Sequence, residues 1–228
     1  MQTLYCSLGR LDYQSAHKLQ AELVERRRHQ CLDRDLFLAT EHPPVFTLGR
    51  RGGRDHLLVS DDFLAERGID LLPVERGGFI TYHGPGQLVL YPIINLRLAK
   101  LTAGDYVFCL EECMLRLTRD WGVTAARDPR NRGIWAGGRK LGSIGIAIRQ
   151  GISFHGLSLN VNLSLEPFSW INPCGLAGVE MTSIASESGR DLSLSQLTAN
   201  LPLHLAEVFG GDFKEITGAE LLLKQLPG

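Results

Sequence analysis

Three titratable side chains stand where the chain leaves little else beside them. His83 lies among Gly77, Gly78, Gly84 and Gly86; Lys140 lies among Gly133, Gly137, Gly138, Gly142 and Gly145; His155 lies between Gly151 and Gly156. Glycine loses more conformational freedom on folding than any other residue, so such density marks positive φ or close approach of backbone to a ligand. A fourth segment supplies a nucleophile. Cys174 sits between Pro173 and Gly175, in a tight turn where a thiol can meet a substrate. A free thiol has a pKa near 8.5 and needs a base or a neighbouring cation to react at neutral pH. His83, His155 and Lys140 are the candidates. A lysine in a glycine-lined, partly buried site can shed its proton and act as base and then acid, or keep it and stabilise the thiolate. Both roles are open from the residues alone.

Other chemistry is poorly supported. There is no Gly-x-x-x-x-Gly-Lys-Ser/Thr phosphate loop and no Gly-x-Gly-x-x-Gly opening a helix. Arg76, Arg139 and Arg149 are suited to phosphate or carboxylate, but a loop arginine is more often a solvated charge. Cys109 and Cys113 have the spacing of a metal pair without a third or fourth ligand nearby, so no metal is expected, and free buried thiols explain them better. Cys6 and Cys31 carry no signal of their own, and no Cys/His/Asn arrangement of a peptidase is evident.

The elements that must hold these residues follow from periodicity. Ala16, Leu19 and Leu23 predict a helix over 12–30, with Asp12 as cap and Arg26, Arg27 and Arg28 in its last turn. A strand is expected over 35–40, then Pro43 and Pro44, then a short helix over 61–67 between Ser60 and Gly68. Strands at 71–75 and 87–94 bracket the first glycine loop. Tyr106, Leu110, Cys113, Leu117 and Trp121 share one face of a helix over 104–121, with Gly122 as its left-handed cap. Short strands are expected at 144–148 and 157–162, so that His155 directly precedes a strand, and a helix over 191–209. Helices irregularly interspersed with consecutive strands predict a mixed α/β (α+β) architecture more than a doubly wound sheet.

Bulk properties narrow the class. A chain of 228 residues without linkers or internal repeats predicts a single catalytic domain over residues 1–228. Hydrophobic residues at 44% and charged residues at 21% are ordinary globular values. A net charge of −1 argues against binding nucleic acid by bulk electrostatics. The N-terminus lacks the cationic and apolar regions of an export signal, no apolar run is long enough to span a bilayer, and five irregularly spaced cysteines read as reduced thiols. A cytoplasmic protein with no membrane partner is the expectation.

Four segments, Arg76 to Ile93, Gly138 to Gly145, His155 to Asn160 and Asn172 to Gly175, together resemble the octanoyl-[acyl-carrier-protein]–protein N-octanoyltransferases of lipoate biosynthesis, also called lipoyl(octanoyl) transferases. The motifs stand in that family's order, and the likeness covers roughly residues 5–210. The tail beyond carries no motif. The resemblance implies the mixed-sheet fold shared by biotinyl and lipoyl protein ligases. It implies transfer of an octanoyl group from the phosphopantetheine thioester of octanoyl-acyl carrier protein to a lysine of a lipoyl domain. It assigns Cys174 as the residue acylated and Lys140 as the residue that lowers its pKa and handles protons. It assigns substrate binding to Arg76, Gly77, Gly78, Phe79, Ile80, Thr81, Tyr82 and His83, to Ser143, Ile144 and Gly145, and to His155, Gly156 and Leu157. It implies no resident cofactor, and as acceptors the apo lipoyl domains of 2-oxoacid dehydrogenase E2 subunits and the glycine-cleavage H protein.

The chemistry of the residues agrees with that resemblance. Thioester exchange is near balance and thioester-to-amide transfer runs downhill, so no ATP is required. Backbone N–H groups at Ser143 to Gly145 or at Gly77 and Gly78 are candidate oxyanion donors, each typically worth about 3 kcal/mol. An apolar groove would bind the acyl chain at ~0.8 kcal/mol per buried CH₂. Two arginine groups, Arg50, Arg51 and Arg54, and Arg127, Arg130, Arg132 and Arg139, are candidate docking patches for acidic partners. Two rivals remain: an ATP-dependent lipoate or biotin ligase on the same fold, which would not need Cys174, and a non-enzymatic acyl-binding module.

Overall fold

A central sheet of eight strands separates two helical layers. The computed structural model describes residues 2–52, 54–129, 131–172 and 178–222. In chain order the elements are β1 (Thr3–Arg10), α1 (Tyr13–Arg28), β2 (Leu36–Glu41), β3 (Val45–Leu48), α2 (Asp61–Glu66), β4 (Asp70–Pro73), β5 (Thr81–His83) and β6 (Gln87–Ile93). There follow α3 (Ala103–Asp120), β7 (Ala126–Asp128), β8 (Asn131–Ala136), β9 (Arg139–Arg149), β10 (Ile152–Asn160), α4 (Ile184–Ser188), α5 (Leu194–Thr198), α6 (Leu201–Phe209), β11 (Phe213–Ile216) and α7 (Gly218–Leu222). The large sheet runs β11-β1-β2-β6-β10-β9-β8-β7, and a small one runs β4-β3-β5. β1 is parallel to both β11 and β2, whereas β2, β6, β10, β9, β8 and β7 pair antiparallel in succession. This is the mixed α/β architecture the sequence predicts.

The two-residue period of a strand feeds both layers. Leu88 and Leu90 of β6, with Phe37 and Ala39 of β2, join Tyr106, Leu110, Cys113 and Leu117 of α3 in one core. Their neighbours Val89, Tyr91, Leu36 and Leu38 face the other way and meet Ala16, Leu23 and Val24 of α1. A third core, around Phe46, Tyr82 and Phe168, lies under the small sheet.

Most predicted helices form where their caps dictate. Asp12 accepts from the Ser15 amide and Ser60 from Phe63, while Gly68 and Gly122 take positive φ beyond the ends of α2 and α3. The predicted helix over 191–209 is two helices. Pro202 cannot stand inside a helix and occupies the first turn of α6, while Ser193 caps α5 separately. The glycine-rich stretch 133–145, predicted as strand only from 144 on, is extended over most of its length. It forms β8 and β9 around a turn at Gly137 and Gly138 (φ 54° and 83°). His155 lies within β10 rather than before a strand, at φ 53°. The strands β1, β3, β5, β7, β8 and β11 have no predicted counterpart.

Candidate active site

An open cavity of about 660 Å³, mouth included, lies where β9 and β10 meet the segment after β4. Its floor is two glycines side by side, Gly145 on β9 paired with Gly156 on β10. Neither tolerates a side chain. A Cβ on Gly156 would stand 2.1 Å from the Leu90 carbonyl oxygen, and one on Gly145 would stand 2.9 Å from Arg76 Cδ.

The Arg76 to Phe79 segment closes one wall. β8 pairs with β9 only as far as Ser143, so the edge beyond is free, and there the Gly77 amide donates to the Ile146 carbonyl at 2.9 Å. The buried Arg76 guanidinium fixes the segment to β3. It donates to Thr47 O and Thr47 Oγ1, each at 2.7 Å, and to the carbonyls of Gly77 and Phe79 at 3.1 and 2.7 Å. Its hydrogen bonds therefore hold the wall together. With its amide committed to β9, Gly77 is unavailable as an oxyanion donor.

Lys140 enters from the start of β9. It is 1% exposed, and its Nζ donates to Asn131 Oδ1 at 2.5 Å and to the Arg132 carbonyl at 3.1 Å. The Lys140 amide and carbonyl bond Glu180 and Thr182 of a returning segment, which places Met181 beside Lys140 and in the cavity wall. On the other side Asn172 is anchored through its amide to the His56 carbonyl at 2.8 Å. Residues 173–177, with Cys174, lie outside the described residues.

The opposite wall is built of rings. His83 stacks on Tyr13 at 5.8 Å between centroids and meets His42 edge-on at 5.9 Å. Gln87 donates to Asn160 Oδ1 at 2.9 Å, which leaves its own oxygen to accept from His83 Nδ1 at 2.7 Å. That assigns the proton to Nδ1 and leaves Nε2 an acceptor. Burial pushes the His83 pKa down to about 3, helped by His42 and Arg76. His155 is likewise pushed down to about 3, first by burial and then by the charges of His17 and Arg76. Near neutral pH both rings are uncharged and weakly basic.

Of the residues expected in a site, Arg76, Gly77, Gly78, Phe79, Ile80, Thr81, His83, Lys140, Ser143, Ile144, Gly145, His155, Gly156 and Leu157 all line this cavity. Tyr82 does not. Alternation along β5 turns it to the third core, where its ring meets Phe46 and Phe168. Tyr13, Tyr91, Asn131 and Met181 line the cavity without having been singled out. Asn131 had a signal, since it stands beside the glycine-rich Lys140 segment; the tyrosines had none. Three other thiols, Cys6, Cys109 and Cys113, are shielded from reaction by burial. Burial raises Cys6 to about 11 and raises Cys109 and Cys113 as well.

The arginine groups differ. Arg127 pairs with Glu111 and Glu112, and Arg139 with Glu187, so those charges are compensated within the protein. Arg54 pairs with Asp61, and Arg130 lies outside the described residues. Arg50 and Arg51 are exposed, and their amides bond the carbonyls of Arg76 and Gly78 at the cavity wall.

Residues 12–206 match the family described as the lipoyl protein ligase A/B catalytic domain. A protein of Desulfotalea psychrophila named octanoyltransferase is 54% identical over 205 residues, 89% of this chain and 92% of its own. One of the same name from Syntrophobacter fumaroxidans is 44% identical over 94% of each chain. Among solved structures, a putative lipoate protein ligase from Thermoplasma acidophilum with bound lipoic acid superposes with a TM-score of 0.74 at 19% identity, over 97% of this chain and 91% of that one. Lipoate-protein ligase A bound with ATP gives 0.73 at 18%, over 97% and 91%. These two likenesses concern the fold.

Proposed function

The chain belongs to the lipoyl protein ligase A/B catalytic-domain family, among its octanoyltransferases, and from that premise we propose how its cavity performs the transfer. Octanoyl-acyl carrier protein presents its thioester over the Gly145 and Gly156 floor. The Cys174 sulfur attacks the carbonyl carbon, a C–S bond forms, and the phosphopantetheine C–S bond breaks with a proton returned to the departing thiolate. The ε-amine of a lipoyl-domain lysine then attacks the acyl-Cys174 thioester. A C–N bond forms, the amine loses a proton, and the Cys174 thiol is regenerated. The sum is thioester to amide, so no ATP and no resident cofactor enter.

One observation carries this reading: three segments distant in sequence bring Lys140 and a side-chain-free floor to a single cavity. Electrostatics favours Lys140 over the histidines as the proton carrier in this reading. A base must have a pKa near the working pH to be effective. Imidazoles held near 3 are poor ones, so His83 and His155 orient the acyl group while Lys140 serves the thiol. As an ammonium Lys140 stabilises the thiolate, and as general acid it protonates the leaving thiolate. Tyr82 supports this site from the adjoining core. Arg50 and Arg51, at the cavity wall and without an acidic ion-pair partner among the described residues, fit acidic protein surfaces of the carrier protein and of lipoyl domains from 2-oxoacid dehydrogenases and the glycine-cleavage system. A reaction between such partners is one of the cytoplasm in this reading. No helix among the described residues is long and apolar enough to cross a membrane.

Mass spectrometry of the protein mixed with octanoyl-acyl carrier protein tests the covalent route. The expected result is one octanoyl adduct on Cys174, removed by hydroxylamine and discharged by an apo lipoyl domain. Transfer that proceeds with the protein unmodified would disprove it. A Cys174→Ala variant that still ligates free octanoate with ATP would favour the ligase reading instead.

A further inference from the structure

Behind the ring wall of the cavity, three side chains from separate parts of the chain converge. They are His17 on α1, Glu75 before the Arg76 segment, and His155 on β10. His17 Nε2 and Glu75 Oε2 are 2.8 Å apart, and His155 Nε2 is 3.9 Å from the same carboxylate oxygen. One ligand atom from each lies within 4.8 Å of the others. The two imidazoles are stacked, with centroids 5.5 Å apart and planes 17° from parallel. Glu75 Oε1 accepts from Arg149 Nη2 at 3.1 Å, which turns the remaining oxygen, Oε2, toward both rings.

His155 supplies an independent sign of a ligand. It is 1% exposed, and neither ring nitrogen has a hydrogen-bond partner among the described residues. A buried polar group left unsatisfied costs about 1–3 kcal/mol, and native structures rarely leave both nitrogens of one imidazole so. The His155 amide is held by Gln20 Oε1 at 2.8 Å, so the backbone that presents the ring is fixed from α1.

We propose that His17 Nε2, Glu75 Oε2 and His155 Nε2 bind one divalent transition ion of the Zn²⁺ class. Zn–N and Zn–O bonds of about 2.0–2.2 Å in a tetrahedron set ligand atoms roughly 3.3–3.5 Å apart. The contacts of 2.8 and 3.9 Å lie on either side of that value, and because the ring planes are near parallel one imidazole must turn about its Cβ–Cγ bond for both lone pairs to meet one ion. Two imidazoles and one carboxylate suit zinc and its neighbours, whereas Ca²⁺ and Mg²⁺ prefer oxygen ligands throughout. His17 and Glu75 are each about a third exposed, so solvent or a substrate group can take the fourth position. The charges facing His155 are Glu75 in favour of a cation and Arg76 and Arg149 against it. Because His155 also lines the acyl cavity, an ion here fixes part of the substrate wall.

Isothermal titration of the metal-free full chain with Zn²⁺ tests this, with Tm followed in parallel. One ion per chain is expected, with a rise in Tm on addition. His17→Ala and Glu75→Gln should each weaken binding by more than the roughly 10–100-fold that losing an outer-shell partner costs, and should abolish the rise in Tm. Cys174→Ser should change neither. The unliganded Tm of each variant shows that it folds. No binding by the wild type overturns the proposal. So does binding that survives both substitutions, or that disappears in Cys174→Ser, since the ion would then sit on thiolate.

Discussion

The two ends of the cavity are built on opposite principles. At one end Lys140 is buried yet met by side-chain and backbone oxygens, Asn131 Oδ1 and the Arg132 carbonyl. At the other, His83 and His155 are buried against rings and pushed down to about 3. Burial alone therefore does not make a reactive group. A buried amine met by acceptor oxygens can work on a neighbour, whereas an imidazole buried against rings is held neutral by desolvation, even where a carboxylate faces it as Glu75 faces His155, and shapes the space. The difference separates reacting from orienting residues within one pocket.

The largest effect expected from that contrast is kinetic. Lys140→Met removes the proposed acid–base group at little change in volume and should lower kcat by about 10²- to 10⁴-fold. His83→Gln should mainly raise KM, and its kcat profile between pH 6 and 8 should match the wild type. Steady-state assays with octanoyl-acyl carrier protein and an apo lipoyl domain check both. A His83→Gln variant as inactive as Lys140→Met, with an altered pH profile, would abolish the distinction between the two ends.

The ring end should reveal itself in stability. His83 and His155 have folded pKa values of about 3, below the ordinary 6.5. The folded state prefers their neutral forms, so their contribution is full above pH 6.5 and is lost as pH falls from 6.5 toward 3. Across that window each ring lowers unfolding free energy by up to about 1.4 kcal/mol per pH unit. Urea unfolding at pH 7 and pH 5 should show this loss, smaller in His83→Gln. A stability unchanged between those pH values would mean that the rings are hydrated.

What was legible in the sequence, and what was not, follows the same division. The glycines marked the cavity correctly, because the floor needs them at Gly145 and Gly156 whatever the partner strand carries. Their secondary structure was legible only in part, since a strand is predicted over Gly145 but not over Gly142 or Gly156. Gly142, Gly145 and Gly156 are strand residues whose missing side chains make room for Met114, Arg76 and the Leu90 carbonyl, contacts no local pattern encodes. The caps at Asp12 and Ser60 were readable since helix ends are local. Tyr13, Tyr91, His17 and Glu75 were invisible as site residues, because only the packing of α1 on the sheet brings them to the ring wall.

The smallest effect concerns Asn131, which lines the cavity and accepts from Lys140 Nζ at 2.5 Å. It acts through Lys140, as a positioning residue. A hydrogen bond to a charged group contributes about 1.5–3 kcal/mol, but the Arg132 carbonyl still accepts from Lys140 at 3.1 Å and restrains the loss. Asn131→Ala should therefore lower kcat by roughly tenfold, near the low end of that range, with KM for octanoyl-acyl carrier protein unchanged. Asn131→Asp keeps an acceptor in place and should recover most of the rate. A structural role alone would lower Tm and leave the kcat of the folded fraction intact. Measuring kcat per folded active site, by burst acylation, distinguishes the two. An unchanged kcat in Asn131→Ala would leave the Arg132 carbonyl as the sufficient anchor and make the lysine end simpler than its geometry suggests.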